Sequence, residues 1–130
     1  MSKLLETQEL AIAGVVDAPA SFKSASLHEL ERVCNGCGAA NAKFDFVPDK
    51  IWGTYVGHAC NIHDWDYEFG VDNEDKEIAD RRMRNNLLRL IRRDCKKKWY
   101  KPKAAMELRA QFYYKMVCWR GGPSFWSGKN

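Results

Sequence analysis

An aspartate sits in the middle of an apolar helical stripe, and few sequence features restrict a fold more. From a cap at Asp72 or Asn73 the chain carries Met83, Leu87, Leu88, Leu90, Ile91 and Cys95 on one side of a helix, and at ~100° per residue Asp80 projects into that same side. The acidic first turn (Glu74, Asp75) and the basic last turns (Arg92, Arg93, Lys96 to Lys98) both complement the helix dipole. An ionised carboxylate on a buried face is costly without a partner. The fold must therefore supply one to Asp80.

The stretch before it offers that partner. The spacing predicts a helix from about Val56 to Phe69, ended by Gly70, with Val56, Ala59, Cys60, His63 and Tyr67 sharing one side and His63 near its centre. A histidine and an aspartate facing each other across two helices form a dyad: the carboxylate accepts one ring N–H, fixes the tautomer and leaves the other nitrogen as a general base. Asp64, rotated by about 100°, points toward a flanking loop instead. A hard carboxylate beside a Gly-rich loop with open backbone carbonyls is a calcium-type donor set.

The remaining elements read as helices and loops around this pair, an all-α class. The 130 residues suit one domain. Residues 1–25, weakly periodic and containing "DAPAS", read as a loosely attached N-terminal arm, leaving 26–130 as the domain. Ser26 and Glu29 form a capping box before "LHELERV", which the glycines of "CNGCG" should stop. "AANAKFDFVPDKIWG" reads as a loop with a short strand pair. A last helix lies between Pro102 and Gly121, with Ala105, Leu108, Phe112 and Met116 as its apolar side. The tail is expected to be irregular, with Phe125 and Trp126 covering the core.

Charge is segregated. Eight of the 17 acidic residues lie between Asp64 and Asp80, whereas Arg81 to Lys103 holds six Arg and five Lys against Asp94. The basic half suits a phosphate-bearing partner, nucleic acid or anionic lipid, as well as a plain solvated face. No apolar run approaches the ~18 residues of a membrane span, and Glu6 and Glu9 interrupt what a signal peptide would keep apolar. The expectation is a cytoplasmic protein. Five cysteines cannot all pair within one chain, and without a signal their default state is reduced.

Two readings compete for the same residues. Cys34-x2-Cys37 and Cys60-x2-His63 have the spacing of a tetrahedral Cys3His zinc site, after which the basic helix would bind nucleic acid. Zinc, however, needs neither Asp64 beside the histidine nor Asp80 in the next helix's apolar stripe. The dyad reading uses both.

The pattern C-x-x-H-D-x-x-Y, present as Cys60, His63, Asp64 and Tyr67, follows "NGCGA" and precedes a helix bearing Ala79-Asp80. Over roughly Cys34 to Leu90 it resembles the phospholipase A2 superfamily, in a disulfide-poor form of bacterial or bacteriophage type. The resemblance implies two long antiparallel helices carrying the His/Asp dyad, with short N-terminal and C-terminal helices. It assigns His63 as the base that activates water, Asp80 as the residue that orients it, and Tyr67 as a hydrogen-bond donor to that carboxylate. Calcium would be held by Asp64 and the carbonyls of Gly36, Gly38 and Ala40, with Ala40 replacing a usual glycine. One family disulfide is absent, its positions being Asp66 and Ala79 here; another would join Cys37 to Cys60, leaving Cys34, Cys95 and Cys118 over. The implied reaction is hydrolysis of the sn-2 ester of glycerophospholipids, without an organic cofactor. The implied partner is an anionic membrane surface, docked through the basic residues 81–103 with Trp99 and Tyr100. Such a protein acts in the producing cell, or is released or virion-associated. An inactive, structural member of the same superfamily is the remaining variant.

Overall fold

A computed structural model describes residues 2–34 and 47–129. The order is α1 (Lys3–Ile12), α2 (Ala20–Ser24), α3 (Leu27–Val33), β1 (Lys50–Ile51), β2 (Thr54–Tyr55), α4 (Gly57–Phe69), α5 (Asn73–Lys97), α6 (Lys103–Arg120) and α7 (Gly122–Trp126). Helices dominate, and the two short strands form the only sheet among the described residues.

The centre is a helical hairpin. Asp72 caps α5 through a hydrogen bond from the Asp75 N–H, and Gly70 to Asp72 turn the chain back on itself. So short a connection makes α4 and α5 antiparallel neighbours. Tyr67 accordingly meets Lys76 and Asp80 near the turn, while His58 lies by Leu90 at the far end. Helix α4 is buried without a break from Gly57 to Trp65, so it runs through the middle of the molecule. The expected α5 stripe holds: Met83, Leu87, Leu88, Leu90 and Ile91 are buried, together with Asp80 and Asn86. Each large side chain in such a stripe contributes about 1.5–3 kcal/mol through its burial.

Three regions differ from expectation. Residues 3–24, read as a loose arm, are largely helical and feed Ala11, Val16, Ala18 and Phe22 into the same core as α4 and α5. The Phe22 ring meets Trp65 edge-on at 5.7 Å, and Gln8 bonds the carbonyls of Phe22, Lys23 and Ala25 at the end of α2. Asn86 of α5 clamps the backbone of Asp17 through both its N–H and its carbonyl. In α6 the buried residues are Met106, Ala110 and Val117, while Leu108 and Phe112 face outward. Both faces of α6 are partly apolar; the one that carries Ala110 allows the closer approach to α5 and is the one packed.

The hairpin β1–β2 turns through Trp52 and Gly53, both at positive φ, as a two-residue primed turn requires. Ser26 and Glu29 form the expected capping box on α3. The tail, expected to be irregular, winds one short helix with Pro123 in its first turn; Phe125 is buried and Trp126 half-exposed.

Candidate functional site

Asp80 is the hub of a four-residue cluster at the turn end of the hairpin. Its Oδ1 accepts hydrogen bonds from His63 Nε2 at 2.8 Å and from the Tyr67 hydroxyl at 2.6 Å. Its Oδ2 accepts from Lys76 Nζ at 2.8 Å. His63 is fully buried and Asp80 is 1% exposed. Helical spacing produces the arrangement on both sides: Tyr67 is one turn beyond His63 on α4, and Lys76 one turn before Asp80 on α5.

The charge balance follows from these contacts. Burial pushes the Asp80 carboxyl upward, but the bonds from His63, Lys76 and Tyr67 outweigh it and hold the group below the usual carboxylate range. Burial lowers the His63 imidazole below its ordinary 6.5, more than the neighbouring carboxylate raises it. Burial, then the Asp80 charge, pushes the Tyr67 phenol up, so it stays a donor. The cluster is thus a neutral imidazole, a carboxylate and an ammonium that balances it. An ionised Asp80 accepts only, so the ring proton resides on Nε2 and Nδ1 is the basic nitrogen, on the opposite ring edge.

Lys76 was not among the residues singled out in the sequence. Its signal was there, in the i,i+4 spacing to a carboxylate already known to need a partner.

Asp64 is buried, 4% exposed, and one position on from His63, hence rotated by about 100° around α4. Its charge helps burial raise the Cys34 thiol, which locates it near the end of α3, where residues 35–46 begin. The Cys34 thiol itself donates to the Asn61 carbonyl at 3.3 Å. Gly36, Gly38 and Ala40, the expected carbonyl donors, lie outside the described residues, as does Cys37. The Asp64 carboxylate is a hard oxygen donor of the kind calcium favours; among the described residues no group of three or more His, Cys, Asp or Glu could hold a metal ion.

Cys60 is disulfide-bonded, while Cys34, Cys95 and Cys118 are free thiols. The reduced default therefore does not extend to Cys60. The zinc set loses Cys60 on this ground, since a disulfide sulfur is no thiolate ligand, whereas the His63 Nε2 bond to Asp80 leaves the Nδ1 lone pair in place.

A cleft of about 600 Å³ reaches the cluster from the Asp80 side, lined among others by Lys76, Asp80, Arg81, Tyr114, Cys118 and Trp126. No described helix is long and apolar enough to cross a membrane. The basic half is partly consumed internally: Arg82 pairs with Asp17 and Asp66, Arg92 with Glu107, and Lys98 and Lys101 with Asp94. No family model matches the chain, and no curated protein or solved structure was found to be similar to it.

Proposed function

We propose that the protein hydrolyses the sn-2 ester of glycerophospholipids, with His63 as the general base and Asp80 and Tyr67 holding it. The observation that carries this reading is the pair of hydrogen bonds on one carboxylate oxygen, from His63 Nε2 at 2.8 Å and the Tyr67 hydroxyl at 2.6 Å.

With Nε2 committed to Asp80, His63 Nδ1 takes a proton from water as the water oxygen bonds to the ester carbonyl carbon. The same proton is then delivered to the departing glycerol oxygen, giving a lysophospholipid and a fatty acid without a covalent acyl-enzyme. Asp80 stabilises the imidazolium formed in between, and Lys76 keeps that carboxylate ionised. Calcium, which Asp64 and the carbonyls of Gly36, Gly38 and Ala40 would hold, would supply the Lewis acid for the developing oxyanion. Trp99 and Tyr100, 87% and 67% exposed beside Lys96 and Lys97, suit contact with an anionic bilayer.

One observation favours a second reading. His63 has no exposed surface, so the same network also suits a purely structural role in a phospholipase-like protein without turnover. Release of fatty acid from mixed phosphatidylcholine and phosphatidylglycerol vesicles separates the two. Hydrolysis that needs calcium and disappears in EGTA and in His63→Gln supports the enzyme; no release by the folded wild type under any calcium concentration supports the structural role.

A further inference from the structure

A second cleft lies at the opposite end of the hairpin, and its chemistry is unrelated to the dyad. Four elements converge on it: Lys3 from α1, Thr54 and Tyr55 from β2, His58 from the first turn of α4, and Arg93, Asp94 and Lys97 from α5. Its volume is about 340 Å³, toward the lower end of the roughly 300–1,000 Å³ of small-ligand pockets. At 1.5 Å of rise per residue, the fourteen positions between Asp80 and Asp94 separate it from the dyad by about 20 Å along α5.

We propose that this cleft binds a phosphate-class anion. Lys3, Arg93, Lys97 and Lys98 line it against one carboxylate, Asp94. That carboxylate is already occupied: it accepts from the Thr54 hydroxyl at 2.5 Å and from Lys101 at 2.9 Å, with Lys98 at 3.6 Å. Lys3 is shared with Glu6 at 3.2 Å, but among the described residues no acidic side chain pairs with Arg93 or Lys97. These two stand one turn apart on α5, where like charges repel unless an anion lies between them. The basic end of α5 answers its own dipole, yet the dipole does not explain why Lys3 and the β-hairpin converge on the same place.

One further residue faces the cleft. His58, only 7% exposed, is held by Thr7 through Nδ1 at 2.6 Å and lines the cleft with the rest of its ring. The Tyr55 hydroxyl adds a neutral donor, whereas the Thr54 hydroxyl already gives its proton to Asp94. Guanidinium, ammonium and hydroxyl groups together are the donor set of a phosphate monoester.

The test needs no hydrolytic activity, so its failure is distinguishable from failure of the phospholipase reading. The full chain is titrated with inorganic phosphate at constant ionic strength and followed by amide and imidazole NMR resonances. Saturable shifts at Thr54, Tyr55 and His58, with affinity at least about tenfold weaker in Arg93→Gln/Lys97→Gln, support the site. Both side chains are exposed, and Arg93→Lys/Lys97→Arg, which keeps the charge, should retain binding. Parallel arms with glycerol 3-phosphate and with phosphatidylcholine vesicles containing phosphatidic acid identify the source of the phosphate. Binding in the vesicle arm that the double variant loses assigns a lipid headgroup; binding of the soluble ester alone assigns a free phosphate. Absence of saturation with all three probes, shifts that map elsewhere, or an unchanged affinity in the double variant overturns the proposal.

Discussion

Lys76 Nζ lies 2.8 Å from the Asp80 oxygen that His63 leaves open, so the dyad carboxylate carries its own counter-ion from one turn earlier on the same helix. A buried carboxylate facing a neutral imidazole would otherwise be uncompensated, and its proton would be retained.

Lys76→Met should therefore cost about 3 kcal/mol, the loss expected when one partner of a buried pair is removed. Urea denaturation checks it. With Asp80→Asn added, the double-mutant cycle should return a coupling of about 1–3 kcal/mol; a coupling near zero would mean that Lys76 is a bystander.

Tyr67 donates to the same carboxylate, so Tyr67→Phe should cost about 1.5–3 kcal/mol, the range for a hydrogen bond to a charged group. Gly121 packs directly on that hydroxyl, and a Cβ there would overlap both it and the Val117 carbonyl oxygen. Gly121→Ala should thus lose about 1–3 kcal/mol through overpacking. Its cost should shrink in part in the Tyr67→Phe background, because one of the two atoms it strikes is gone while the Val117 carbonyl remains; equal costs in both backgrounds would remove the hydroxyl from that explanation.

His58 gives stability a pH dependence of predictable sign. Burial lowers its folded-state pKa from 6.5 to about 4; Glu6 opposes this, while Lys3 and Arg93 reinforce it. Between those values the unfolded chain binds the proton and the folded chain does not, so stability falls as pH drops from 6.5 toward 4 and this contribution then levels off. Urea midpoints between pH 7 and 4 should consequently fall less in His58→Gln than in the wild type.

The N-terminal segment should behave as core. Phe22 is fully buried against Trp65, and Phe22→Ala should cost about 3–5 kcal/mol by thermal or urea unfolding. A loss below about 1 kcal/mol would return the segment to the status of a loose arm.

These residues also show what the amino-acid pattern reveals. His63, Tyr67 and Asp80 were legible because α4 and α5 repeat with a clean helical period, and their caps, Gly70 and Asp72, stand where the period stops. The N-terminal segment was not, because it buries small or scattered residues, Thr7, Ala11, Val16 and Ala18, that draw no stripe. Only tertiary contact with Trp65 and Asn86 makes it core. Helix α6 misled for the opposite reason: it has apolar residues on two faces, and shape rather than hydrophobicity selected Met106, Ala110 and Val117. Lys76 was overlooked because a lysine near a helix start reads as solvated until the carboxylate four residues on is known to be buried.

Nitrogen-detected NMR of the His63 ring at neutral pH tests the central relationship most directly. The expected result is a neutral imidazole protonated at Nε2, with Nδ1 bearing the lone pair, and loss of that preference in Asp80→Asn. A ring protonated at Nδ1, or an imidazolium at neutral pH, would contradict it.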